Sequence, residues 1–197
     1  MFFKKQGGTF DYLVVGLGNP GKEYENTRHN AGFAAVDAMM QKFDFALPKK
    51  KFDAIYGECN IGGARVLVAK PQTYMNLSGK AVSALASFYK IPVDRIIVLF
   101  DDVSIDVGKI RIRRKGSSGG QKGINNIIDA MGSQDIMRVK IGVGEKPNPD
   151  YDMKDWVLGH IPKSQADAFK TAAENAALAV REIIVNGIDS AMNKYSK

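Results

Sequence analysis

Residues 12–32 read YLVVGLGNPGKEYENTRHNAG, and this stretch sets the frame for the rest of the chain. Tyr12 to Val15 is an uninterrupted apolar run, which predicts a buried strand. It ends in Gly16-Leu17-Gly18-Asn19-Pro20-Gly21. Glycines at the carboxyl end of a strand predict close approach of a ligand to the backbone, because no Cβ stands in the way. A polar loop then leads to Thr27-Arg28-His29-Asn30, where a helix is expected to begin. His29 is one of only two histidines, and imidazole is the side chain that ordinarily titrates near neutral pH. Asn19 adds a carboxamide to the same loop. The combination predicts a hydrolytic centre at the end of the first strand.

Gly16, Gly18 and Gly21 also satisfy G-x-G-x-x-G, so a nucleotide cofactor is the competing reading. That fingerprint needs a helix to start at the glycines, with its N-terminus holding the pyrophosphate. Pro20 turns Asn19 away from helical geometry, and Lys22 to Arg28 has no apolar stripe. Asp37, the nearest acid that could bind a ribose, falls inside a helical pattern instead.

Working outward, Phe33, Val36, Met39, Met40 and Phe43 recur at helical spacing. FALPKKKF, residues 45–52, reads as a turn carrying three lysines. Tyr56–Asn60 and Arg65–Lys70 read as a hairpin through Gly62-Gly63, and Pro71 ends the second strand. A second amphipathic helix follows PQTYMNLSG. Ile96 to Phe100, closed by Asp101-Asp102, has the continuous apolar character of a central parallel strand. Lys109 to Arg114 alternates, with Ile110 and Ile112 on one face. GINNIIDAMG predicts a helix and Met137–Gly142 a strand. EKPNPDYDMKDW is too polar and proline-interrupted for a regular element. Two helices close the chain, a long alanine-rich one over 164–186 and a short one from Ile188. Strands and helices intermix without repeats or a long linker. The fold class is therefore α/β, a single domain over residues 11–197 with a twisted mixed sheet flanked by helices on both faces. Residues 1–10 read as a mobile extension.

A hydrophobic content of 45% in 197 residues supports a real core,. The net charge of +7 points to a polyanionic partner,. Cys59 is the single cysteine; it excludes an internal disulfide, fits a reducing cytosol and reads as a structural thiol. No apolar run approaches the roughly 18 residues of a membrane span, and the opening residues carry no signal-peptide core. The histidines and cysteine show no metal-ligand spacing.

Three loops end strands with polar groups: Asn19 to Asn30, Tyr74 to Asn76, and Asp101-Asp102. Ligands of open α/β sheets bind outside the carboxyl ends of the strands. A His, an Asp and two Asn gathered there suit attack of water on a carbonyl. No G-x-S-x-G elbow offers a serine nucleophile. Each group has a second reading. Asn30 and Asn76 can be helix N-caps, the preferred reading for Asn30, and the two aspartates can be strand-end residues. His160 reads as a surface residue. Lys109, Arg111, Arg113, Arg114, Lys115 and Lys122 form a basic cluster with no acid between Gly108 and Gly123. Lysines at a sheet edge also serve against aggregation, but the arginines and the adjoining GSSGG favour nucleic acid.

GLGNPGKEYENTRHNAG, KPQTYMNLSGKAV, FDDVSIDVGKIRIRRKGSSGGQKGINNII, VKIGVG and DWVLG together resemble bacterial peptidyl-tRNA hydrolases over nearly the whole chain. The resemblance implies a cytoplasmic monomer without cofactor or metal that cleaves the ester between peptide and tRNA. It implies that His29 is the catalytic base and Asp101 its partner. Asn19 and Asn76 are then the amides for peptide or oxyanion, and Tyr24, Tyr74, Met75 and Lys122 contact substrate. Arg113 and Lys140 are implied to hold the tRNA 5′-phosphate, with residues 145–156 a lid. Members usually read GGHNG where this chain has Gly119-Gly120-Gln121-Lys122-Gly123. On that basis Lys122, in the place of a substrate-contacting Asn, is expected to reach the cleft, with Gln121 as the alternative. Related plant splicing factors bind RNA without hydrolysis; retention of His29, Asp101, Asn19 and Asn76 argues against that class.

Overall fold

The computed structural model describes residues 9–196, so most of the expected N-terminal extension lies outside the described residues. Phe10 does not: it is buried and meets the Tyr89 ring edge-on. Seven strands form one sheet: β1 (Tyr12–Gly16), β2 (Lys49–Lys51), β3 (Ala54–Ile61), β4 (Ala64–Pro71), β5 (Ile96–Asp102), β6 (Ile110–Arg113) and β7 (Met137–Gly142). Their spatial order is β2-β3-β4-β1-β5-β7-β6. The central four, β4, β1, β5 and β7, are parallel, while β2, β3 and β6 run antiparallel to their neighbours.

The alternation of side chains along a strand divides the core in two. Val14, Val68, Ile97 and Leu99 face one cluster with α1 (Ala31–Phe43), α5 (Ala166–Asn186) and α6 (Ile188–Tyr195). Leu13, Val15, Leu67, Val98 and Phe100 face the other, with α2 (Ser78–Tyr89) and α3 (Lys122–Met131). Burial on both faces is why β1 and β5 carry no polar alternation. The expected mixed sheet between helical layers is thus the observed one.

Two segments differ from expectation. Lys49–Lys51 is an edge strand rather than a turn; β3 offers it a free row of backbone partners, and its exposed lysines suit a sheet edge,. Within 145–156 the chain turns helical at α4 (Met153–Leu158), because Asp152 caps it by accepting from the N–H groups of Lys154 and Asp155,.

Gly16, at the end of β1, and Gly32, in α1, serve close packing. A Cβ on Gly16 would lie 2.3 Å from the Gly32 carbonyl oxygen, and one on Gly32 would lie 2.2 Å from that of Leu99. They admit α1 against the sheet. That close packing brings the start of α1, and His29 just before it, onto the ends of β1 and β5.

Candidate active site

The loops after β1, β4 and β5 emerge at the same edge of the sheet because those strands are parallel. Between them, with α4 and the start of α3, lies a cavity of about 700 Å³. Asn19, Tyr24, His29, Tyr74, Met75, Asn76, Asp101 and Lys122 all line it. Eight of the ten residues expected at the site are therefore brought together. Arg113 and Lys140 are not among the lining residues.

His29 sits on a single 3-10 turn, Arg28–Asn30. Its Nδ1 lies 2.8 Å from Oδ2 of Asp101, which is 3% exposed. A buried carboxylate needs its lone pairs satisfied, and here both oxygens are engaged. Oδ1 of Asp101 accepts from Nε2 of Gln121 at 3.0 Å. The same Gln121 caps α3 by accepting the N–H of Ile124 at 2.8 Å, and its Nε2 also touches Met75 Sδ at 3.2 Å. Gln121 thus points inward, whereas Lys122 is exposed at the cavity wall. The resemblance points to Lys122 with Gln121 as the alternative; the contact of Gln121 with a carboxylate 20 residues away is a tertiary one that no local pattern announces.

Asn30 is more than the end of a helix. It occupies the N-cap position of α1 but makes no capping bond. Its side chain instead brackets the backbone of Asn19, accepting from the N–H at 2.8 Å and donating to the carbonyl at 3.0 Å. Asn19 Oδ1 in turn accepts the Met75 N–H at 2.8 Å. With its oxygen occupied, Asn19 has an NH₂ group left for whatever fills the cavity. Asn76 is exposed on the turn Met75–Leu77, and the Tyr24 and Tyr74 rings meet edge-to-face.

Beside the cavity the sheet edge is basic. Strand register pairs Arg111 with Lys140 and Arg113 with Arg138, so all four lie on the face opposite Ile110, Ile112, Val139 and Ile141,. The four are not equivalent. Lys140 Nζ is 2.8 Å from Asp102 Oδ2, which ties it to the residue after Asp101. Burial raises the Asp102 pKa, but the Lys140 and Ser104 hydrogen bonds outweigh it and hold the carboxyl below its ordinary value. Arg138 is 1% exposed and donates to the carbonyls of Ser117, Gln134 and Ile136. Burial lowers its pKa, and its bond to the Ser117 carbonyl ties the 116–120 loop to β7. Within the sequence cluster, Lys109, Arg114 and Lys115 pair with Asp106, Asp189 and Asp135.

Over the other side lies α4, whose Met153, Lys154 and Leu158 line the cavity together with its cap, Asp152. It is tied to the turn that carries His29. The buried Arg28 guanidinium stacks 3.5 Å from the centroid of Trp156 and donates to the His160 carbonyl at 3.0 Å. Trp156 Nε1 donates to the Gly144 carbonyl at 2.9 Å. His160 itself is exposed, as expected. Burial pushes the Cys59 thiol up to about 11, which suits the structural role expected of it. Among the described residues no group of His, Cys, Asp or Glu could hold a metal ion, and no helix is long and apolar enough to cross a membrane.

The family model described as peptidyl-tRNA hydrolase matches residues 13–197. A peptidyl-tRNA hydrolase of Lachnoclostridium phytofermentans is 48% identical over 186 residues, covering 94% of this chain and 97% of that one. One from Caldanaerobacter subterraneus subsp. tengcongensis is 48% identical over 185 residues, covering 94% and 99%. The crystal structure of peptidyl-tRNA hydrolase from Acinetobacter baumannii superposes with a TM-score of 0.87 at 34% identity, covering 96% of this chain and 99% of that one.

Proposed function

The chain belongs to the peptidyl-tRNA hydrolase family, and from that premise we propose that His29 activates the water that cleaves the peptide–tRNA ester. Hydrolysis of peptidyl-tRNA with release of the tRNA is the activity of the family. The observation that carries the reading is the 2.8 Å contact between His29 Nδ1 and Asp101 Oδ2 at the cavity wall.

With Nδ1 donating to the carboxylate, Nε2 is the unprotonated nitrogen and takes the proton of a water poised against the ester carbonyl. Asp101 orients the ring and stabilises the imidazolium that forms. The NH₂ groups of Asn19 and Asn76 face the peptide or the oxyanion. The proton then returns to the ribose oxygen as the tRNA leaves. Tyr24, Tyr74 and Met75 form the wall for the peptide, and Lys122 contacts the acceptor end. Arg113 and Lys140, on the basic face, hold the 5′-phosphate. No step needs a metal or cofactor. The enzyme works as a monomer in the cytosol, where its substrate is made.

The test is turnover of N-acetyl-aminoacyl-tRNA followed by release of free tRNA. His29→Ala is expected to lower kcat by about 10²–10⁴-fold, the usual contribution of a general base, with tRNA affinity near that of the parent. Turnover by His29→Ala at the parental rate would remove His29 from the mechanism. Binding of tRNA by the parent without hydrolysis would move the chain to the RNA-binding class.

A further inference from the structure

We propose that Gln121 is a positioning residue for the His29–Asp101 pair, its amide fixing which carboxylate oxygen meets the imidazole and which imidazole tautomer results. The inference rests on the reading of His29 as the base. Asp101 is buried and its Oδ2 faces His29. Only Gln121 among the described residues donates to Oδ1. A carboxylate held by one oxygen alone can rotate about its Cβ–Cγ bond and present either oxygen. Held by both, it cannot. The second bond therefore converts a contact into a fixed geometry.

The amide cannot reverse its sense. Gln121 Oε1 is taken by the N–H of Ile124 at the start of α3. The NH₂ group is then the end left to face Asp101, whatever the state of the cavity. The backbone makes room for this arrangement: a Cβ on Gly123 would fall 3.1 Å from Oε1 and 2.5 Å from Met75 Sδ. Helix α3, the carboxylate and the base are thus joined in series by one side chain. A donor that never titrates also keeps Asp101 an acceptor toward Nδ1, so His29 stays protonated there and free at Nε2.

Gln121→Glu separates this role from capping. Glutamate has the same length and keeps an acceptor for Ile124 N–H, but it replaces the donor toward Asp101 with a second carboxylate. The remaining charged groups at the cavity are unchanged: Asp102 bound to Lys140, Lys122 on α3, Lys154 on α4 and Asp152 at its cap. Expected for Gln121→Glu is a kcat lower by roughly 10–100-fold, the scale of one hydrogen bond to a charged group, with KM changed little. The His29 imidazole, followed by NMR, is expected to titrate at higher pH in the variant than in the parent, because added negative charge favours imidazolium. The acid limb of kcat/KM should move with it. Gln121→Met removes the donor toward Asp101, adds no charge and leaves only a weak sulfur acceptor for the cap; should the glutamate variant not fold, its kcat read beside its Tm supplies the comparison. Parental kcat and parental His29 titration in a folded variant would reduce Gln121 to a helix cap and overturn the proposal. If His29→Ala were fully active, the reading of the base itself would fail instead.

Discussion

Asn30 brackets Asn19: its side chain accepts from the Asn19 N–H at 2.8 Å and donates to the Asn19 carbonyl at 3.0 Å. Both residues are buried, so the bracket holds the loop after β1 without help from solvent. The Asn19 side chain is thereby free to bind Met75, and the loops after β1 and β4 become one rigid wall.

Asn30→Ala leaves two buried backbone groups of Asn19 unpaired, at about 1–3 kcal/mol each before relaxation. The expected outcome is a lower Tm together with a fall in kcat, although Asn30 is not a lining residue of the cavity. Thermal melting and the tRNA-release assay on the same variant check both. A stable variant with parental kcat would mean that Met75 alone positions Asn19.

What could be read from the sequence was what local pattern encodes. β1 and β5 were legible because burial on both faces leaves an unbroken apolar run, and β6 because one face is exposed and alternates. β2 was not, since three lysines carry no apolar signal and the strand exists only by pairing with β3. α4 was hidden because six residues are too few for a helical stripe. Its stability comes from the Asp152 cap and from Arg28, 128 residues away from Trp156. At the site, residue types announced His29, Asp101 and the two amides. The inward turn of Gln121 and the engagement of Lys140 by Asp102 are tertiary, and only the fold reveals them.

Trp156 fastens α4 to the turn that bears His29 through Arg28, and to the segment after β7 through the Gly144 carbonyl. Trp156→Ala removes a cation–π contact and a hydrogen bond, together about 1–3 kcal/mol. Amide exchange over 145–160 should quicken, while the sheet amides keep their protection. KM should rise more than kcat falls, because α4 forms cavity wall and does not touch Asp101. Unchanged exchange over 145–160 would show that α4 is held by its other contacts.

Glu182 offers a pH test far from the chemistry. It accepts from Ser190 Oγ at 2.6 Å, Asn186 Nδ2 at 2.9 Å and Lys194 Nζ at 3.2 Å, joining α5 to α6. These bonds, that of Ser190 foremost, hold its carboxyl at about 2 instead of the ordinary 4.5. A folded pKa below the unfolded one gives stability that is complete above 4.5 and lost as pH falls through 2. Glu182→Gln should therefore show a shallower loss of unfolding free energy across that window in urea titrations. Equal slopes for the two proteins would show that the carboxylate bonds do not persist in solution.

Lys140 cannot meet a phosphate without a competitor, because its Nζ already lies 2.8 Å from Asp102 Oδ2. Asp102 is bound as a carboxylate, its other oxygen accepting both the N–H and the hydroxyl of Ser104. On the reading of Lys140 as a phosphate ligand, the RNA must share the ammonium with Asp102 or displace it. Lys140→Ala should then weaken tRNA binding at low salt and reduce the salt slope by about one. Asp102→Asn should do the opposite and tighten binding, since the lysine loses its internal acceptor. The same change should destabilise the free protein, leaving a largely buried cation without its counter-charge. Bound tRNA would restore that charge, so the rise in Tm on adding tRNA should be larger for Asp102→Asn than for the parent. Affinities across a salt series and melting with and without tRNA decide the matter. If Lys140→Ala binds as the parent does at low salt, Lys140 is only the structural counter-ion of Asp102. The phosphate would then fall to Arg111 and Arg113, for which no acidic partner is seen among the described residues.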